Sequence, residues 1–254
     1  MIATLPMYNW PEVRQATQQW WHAIASNLHS ETPLTNPDDY TAPWSNPHLL
    51  LSQTCGYPFT HAFKNKLVLV STPHYAVDGC AGPNYQSMIF ARNAAPIESF
   101  RNTKAAVNAP DSMSGMLALK LVFAPLALNG LFFAGALETG GHVSSLQAVQ
   151  KGKADVCAID AVCVAMAKKY RPDYLEGLVE IARSPTVPGL PYITNSGNVP
   201  ELRAAIAKAL IDPELQDVRE QLFISGQSFL TPADYDRILT LEAEMHMRGD
   251  LQLL

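Results

Sequence analysis

The sequence predicts an α/β protein made of two doubly wound lobes. Three observations carry that prediction. Apolar strand-like runs alternate with helical stretches from Ile2 to about Ala182. Pro and Gly crowd two segments, Val77–Pro83 and Pro185–Pro191, where a chain would leave one lobe and return. With 254 residues, 48% of them hydrophobic, there is enough apolar material for two cores. The crossings place residues 1–80 and 190–254 in a discontinuous lobe 1 and residues 81–189 in lobe 2, joined by a two-crossing hinge.

In order, Ile2–Met7 reads as a strand. Asn9 followed by Glu12, with Pro11 between, marks a helix start before Val13, Thr17, Trp20, Trp21, Ile24 and Leu28, which share one face. The Pro-rich stretch Thr32–Pro47 is loop. Leu49–Ser52 and Leu67–Val70 are short buried strands around a small helix at Thr60–Asn65. The second series begins with strand Ser87–Ala91, helix Ile97–Asn102, strand Ala105–Asn108 and helix Gly115–Ala127. It continues with strand Phe132–Leu137, helix His142–Lys151, strand Ala154–Ile159, helix Asp160–Tyr170 and strand Leu178–Ala182. After a short strand at Tyr192 the chain is helical over Pro200–Leu210, Pro213–Ile224 and Pro232–Arg248.

Composition excludes some classes of function. A formal charge of -5, with 18 Lys and Arg scattered rather than clustered, offers no basic field for nucleic acid. The most apolar stretch, Leu117–Phe133, is interrupted by Lys120, Pro125 and Asn129, so no transmembrane segment is expected. The N-terminus lacks the basic and apolar segments of a secretory signal, which suggests a removed leader or a cytoplasmic protein. Cys55, Cys80, Cys157 and Cys163 have no zinc-type spacing, so no metal is expected. Cys157 and Cys163 read as buried thiols, whereas Cys55 and Cys80, in Gly-flanked loops, are expected close together and able to pair in an oxidising compartment.

Polar residues gather where strands lead into helices, the edge at which open parallel sheets bind ligands. In Asn108-Ala-Pro-Asp-Ser-Met-Ser-Gly115, Ser112 and Ser114 offer hydroxyls beside the N–H groups of a first helical turn. They form either an ordinary cap or an anion cradle, with Met113 between them in the candidate set. Thr139-Gly-Gly-His142 precedes the next helix in the same way, and His142 can donate from a ring nitrogen or simply sit at the surface. Tyr8 follows the first strand, and the loop Gln53-Thr-Cys-Gly-Tyr57 contributes Gln53, Thr54 and Tyr57. Each also reads as packing or turn. Asp160 opens a helix directly after a strand, as an N-cap or as an acceptor for a partly protonated ligand. No G-x-S-x-G elbow, H-E-x-x-H helix or phosphate-binding Gly loop occurs, so a nucleophile and base are not visible as a set.

Four stretches taken together resemble the phosphate/phosphite/phosphonate-binding proteins of ABC importers, the PhnD-like group. They are Gln53-Thr-Cys-Gly-Tyr-Pro58, Asn108–Gly115 with its Ser-x-Ser-Gly core, Thr139-Gly-Gly-His-Val-Ser-Ser145 running into Lys151–Asp160, and Ser184-Pro-Thr-Val-Pro-Gly189. The resemblance spans about Ile2 to Phe223. It implies the type II periplasmic-binding-protein fold, hinge closure on a small oxyanion, no catalysis and no cofactor. It also implies ABC permease and ATPase subunits as partners, a periplasmic location and a monomer. Carried over by position, Ser112, Ser114 and His142 bind the oxyanion, and Tyr8 and Tyr57 line the cleft. The acidic residues with which family members recognise an amino group fall at Val162 and Leu190, which points to phosphate, phosphite or a simple phosphonate. A cytoplasmic ligand sensor and a metabolic enzyme on the same fold, acting on a phosphorylated small molecule, are the alternatives.

Overall fold

The computed structural model describes residues 1–196, 198–249 and 251–253. In chain order the elements are β1 (Ile2–Ala3), α1 (Arg14–Asn27), β2 (Leu49–Gln53), α2 (Gly56–Thr60), β3 (Val68–Tyr75), β4 (Cys80–Ala81) and β5 (Asn84–Tyr85). There follow β6 (Ser87–Ala91), β7 (Lys104–Val107), α3 (Ala118–Phe123), β8 (Gly135–Glu138), α4 (His142–Gln150), β9 (Val156–Asp160), α5 (Ala161–Tyr170), β10 (Val179–Arg183) and β11 (Val187–Pro188). The chain ends with β12 (Tyr192–Thr194), α6 (Val199–Ile211), α7 (Gln216–Leu222), β13 (Ile224–Ser228) and α8 (Pro232–Gly249).

Two compact units result. The first comprises Met1–Ala76, Ala81–Asn84 and Pro188–Tyr235; the second comprises Val77–Cys80, Tyr85–Val187 and the chain from Asp236. The sequence predicts all of 190–254 in lobe 1. Instead α8 begins in the first unit and continues in the second. Its opening turn is anchored in the first by buried Tyr235, whose hydroxyl donates to the Gly189 carbonyl at 2.8 Å.

In the first unit the strand order is β1-β2-β12-β3-β13. β1 and β2 are parallel, and β12 runs antiparallel to both β2 and β3, so β1, β2 and β3 all point the same way. Helix α1 forms because its apolar positions recur at helical spacing, and Val13, Thr17, Trp20, Trp21 and Ile24 are all buried. The expected capping box is not made: Pro11–Val13 form a 3-10 turn with no side-chain cap, and the Asn9 amide donates to Asn36 instead. The first strand covers Ile2–Ala3 rather than running to Met7: its last bond to β2 is the Thr4 N–H on the Leu51 carbonyl at 3.0 Å, just short of Pro6, which has no N–H to offer. The small helix near Thr60 starts earlier, at Gly56. β3 runs on through Pro73 to Tyr75, because beyond Ser71 it is paired only with β13 and the missing N–H costs no ladder bond on the other side. β13 lies where the helix Pro213–Ile224 was expected to end. That helix stops at Leu222, and Phe223 turns the chain with φ 58°.

The second unit has the order β10-β6-β9-β7-β8, with β8, β7 and β9 parallel and β6 antiparallel to β9. β9 is buried throughout and forms the centre of this core with Ile89, Phe90, Leu119 and Phe123. The expected helix Gly115–Ala127 begins instead as a π turn at Met113–Leu117, becomes α3, and breaks into a 3-10 turn at Pro125. The four cysteines are thiols, so the Cys55–Cys80 pair carries no disulfide.

Candidate functional site

Each unit presents polar residues at the carboxyl ends of three parallel strands. In the second unit Asn108 follows β7, Thr139 follows β8 and Asp160 closes β9. In the first, Tyr8 lies shortly beyond β1, Gln53 ends β2 and Tyr75 ends β3. This is the edge at which open α/β sheets place ligands.

Around β7 and β8 the groups converge. Ser112 has extended backbone (φ -93°, ψ 125°), and its Oγ accepts from the Gly115 N–H at 3.0 Å, so it is an N-cap. The Leu117 N–H then reaches the Ser112 carbonyl in a π-type bond of 3.0 Å. That wider first turn carries Ser114, whose Oγ lies 2.8 Å from His142 Nε2 at the start of α4. Two successive βα loops are thus joined by one hydrogen bond. Helix α4 is preceded by Gly141, which supplies no side-chain cap to the positive end of that helix. Thr139 ties the same loops from beneath: its N–H and hydroxyl donate to the Val107 carbonyl at 2.9 and 3.0 Å, and its Oγ1 meets Ser145 Oγ at 2.6 Å.

Two polar atoms here are buried and make no hydrogen bond, Asn108 Oδ1 and His142 Nδ1. Burial lowers the His142 pKa to about 4, with the nearby Ala158 carbonyl opposing the shift, so the ring is neutral near pH 7. Its Nε2 therefore either accepts from the Ser114 hydroxyl or donates to it. Asn108 can lie over the helix start only because residue 115 is glycine: a Cβ there would sit 1.7 Å from Asn108 Oδ1. These groups carry no cationic side chain. What they offer an anion is hydroxyls, an imidazole and helix-terminal N–H groups.

A family model for the periplasmic substrate-binding protein of phosphonate ABC transporters matches residues 2–237. The chain belongs to that family. No curated protein matches this phosphonate-family binding protein in sequence. Among solved structures, PhnD1 of Prochlorococcus marinus in complex with methylphosphonate aligns with TM-score 0.75 at 11% identity, covering 96% of this chain and 98% of the other. A binding-protein component of an ABC phosphonate transporter from Pseudomonas aeruginosa gives 0.74 at 16%, covering 97% and 87%. A Xanthomonas citri protein bound to ATP gives 0.69 at 15%, covering 97% of each. These likenesses establish the type II periplasmic-binding-protein fold. Family membership brings a small ligand and permease and ATPase subunits as partners, and it is membership of a group of transport proteins rather than enzymes. Among the described residues no helix is long and apolar enough to cross a membrane.

The other sequence-derived candidates of this binding protein have the following surroundings. Met113 is buried within the π turn. Asp160 is buried and caps α5, accepting from the Val162 and Cys163 N–H groups at 2.7 and 3.4 Å. In the first unit Tyr8 meets Tyr75 edge to face at 5.2 Å. Gln53 is buried and donates through Nε2 to the Tyr75 hydroxyl at 3.1 Å and to the Leu190 carbonyl at 3.0 Å. Thr54 is fully buried, its N–H on the Pro191 carbonyl, and Tyr57 stacks on His61 at 3.8 Å. Tyr8, Gln53 and Tyr75 share a small cavity of about 30 Å³ with Trp20 and Tyr192. Sequence reasoning assigns no role to Tyr75, Asn108 or Thr139. The last two lie inside motifs already singled out and are marked by their place at strand ends.

Proposed function

We propose that this protein captures a small phosphorus oxyanion, phosphate, phosphite or a simple alkylphosphonate such as methylphosphonate, by closing its two units on it, and delivers it as a monomer to an ABC permease. The observation that carries this reading is the Ser114–His142 hydrogen bond at two adjoining helix starts, beside the orphaned Asn108 Oδ1 and His142 Nδ1. A buried polar atom left unpaired costs roughly 1–3 kcal/mol, and a ligand that can both accept and donate removes that cost. The neutral cradle suits recognition by hydrogen bonds and dipoles rather than by ion pairs. Methylphosphonate in the Prochlorococcus protein of the same fold supports the ligand class.

Val162 and Leu190 are buried and apolar, and Asp160 is committed to capping its helix, so none of the three would hold an ammonium group. The test is a melting panel followed by calorimetry, since a ligand that binds only the folded state raises apparent stability. Phosphate, phosphite and methylphosphonate should include at least one strong stabiliser, and aminoethylphosphonate should bind no better than methylphosphonate. A panel without any stabiliser, or a clear preference for the amino ligand, would sink the reading.

A further inference from the structure

The first unit encloses a polar cluster whose hydrogen bonding is one partner short. The Trp20 indole N–H, which can only donate, lies 3.1 Å from the Tyr192 hydroxyl oxygen, so Tyr192 accepts there and its own O–H hydrogen has to find another acceptor. Among the described residues none takes it. Tyr192 is 2% exposed, and burial pushes its pKa up to about 12, so that hydrogen is present at any working pH. Gln53 shows the opposite lack. Its side-chain nitrogen donates to the Leu190 carbonyl at 3.0 Å and to the Tyr75 hydroxyl at 3.1 Å, which leaves Oε1 as an acceptor that no described residue uses. Thr17 adds a second acceptor: its hydroxyl hydrogen goes to the Val13 carbonyl at 3.1 Å, so only lone pairs remain on Oγ1. All three side chains line one cavity of about 30 Å³, with Leu5, Leu222 and Ile224 among its apolar walls. A water needs roughly 10–15 Å³ of such space and two to four polar partners.

We propose that this cavity is a water site: one internal water accepts from the Tyr192 O–H and donates to Gln53 Oε1 and Thr17 Oγ1, tying α1 to the end of β2 and the start of β12. An apolar occupant would leave the Tyr192 hydrogen unpaired, whereas a water supplies one acceptor and two donors, the set that the three side chains lack. The water holds the Gln53 amide by its oxygen end, as the Leu190 carbonyl holds it by the nitrogen end. The site lies wholly within the first unit and stands independently of the oxyanion reading. The experiment is a crystal structure of the wild-type protein at a resolution that shows ordered water, together with melting curves of Tyr192→Phe, Thr17→Val and the double variant. The map should show a single peak within about 3 Å of Tyr192 Oη, Gln53 Oε1 and Thr17 Oγ1. Thr17 and Tyr192 make no hydrogen bond to each other, so a shared water is what couples their polar atoms. The drop in melting temperature caused by Thr17→Val should therefore shrink once Tyr192 has become Phe. The wild-type map decides the site even where a variant fails to fold. A dry cavity, or a side chain rotated into it, overturns the proposal, and an equal effect of Thr17→Val in both backgrounds overturns the bridge between α1 and β12.

Discussion

The two strand edges are built from different chemistry. In the second unit the edge after β7 and β8 is made of short side chains at helix starts, Ser112, Ser114 and His142, where backbone dipoles do part of the work and two buried polar atoms stay unpaired. In the first unit the edge after β1, β2 and β3 is aromatic. Tyr8 and Tyr75 are locked by ring packing, and Gln53 spends its donors on neighbours. The difference teaches that the same topological edge can be a cradle whose hydrogen bonds wait for a partner or a wall whose hydrogen bonds are already made. Substitutions in the first should change affinity more than stability, and substitutions at groups already satisfied should do the reverse.

The largest effect is expected at Gly115. Gly115→Ala drives a methyl into Asn108 Oδ1, so it should displace Asn108 and the π turn together, losing roughly a hundredfold or more in oxyanion affinity and about 1–3 kcal/mol of stability. Calorimetry and urea unfolding measure the two. Wild-type affinity would mean that Asn108 and the turn play no part in binding.

Next comes Ser114→Ala, which removes the hydroxyl linking the two loops. It should weaken binding by about ten- to a hundredfold while costing no more than about 1 kcal/mol of stability. A variant that melts much lower yet binds normally would make Ser114 a structural residue and erase the contrast between the edges.

The third test is pH. Burial takes His142 from 6.5 to about 4, so the unfolded chain binds a proton that the folded chain refuses as pH falls between those values. The contribution is fully present above about 6.5 and is lost as pH drops to about 4, by roughly 3 kcal/mol at most. The comparison is between wild type and His142→Gln, whose stability should fall less steeply across that window. His74, also lowered by burial, acts in the same direction and is common to both proteins. Parallel profiles would mean that the ring is not held neutral by the fold.

The smallest change in affinity is expected at Asp160. Its carboxylate already accepts from two N–H groups of α5, so Asp160→Ala should cost about 1–2 kcal/mol of stability through the lost cap and leave methylphosphonate affinity within about twofold. A large loss of binding would return Asp160 to the ligand.

The alternation of strands and helices, the βα loops that carry Ser112, Ser114 and His142, and the capping position of Asp160 were all legible in the sequence. Each depends on residues close together in the chain: apolar periodicity, a Ser or Asp at a helix start, glycines before His142. Tertiary structure decided the rest. Pro73 hides the end of β3, and with it Tyr75, because whether a proline breaks a strand depends on which neighbours that strand has. The amphipathic pattern of α8 states that one face is buried without saying in which unit, and its division at Tyr235 follows from distant partners, the Gly189 carbonyl and Thr72. In the sequence Gln53 is a strand-end loop residue that reads either as a ligand-binding candidate or as part of a turn, and only the fold brings the Leu190 carbonyl, 137 positions along the chain, beside its amide. Local signals specify elements and caps through short-range sterics and hydrogen bonding, whereas the direction of a donor at a strand edge is set by whichever carbonyl the fold brings beside it.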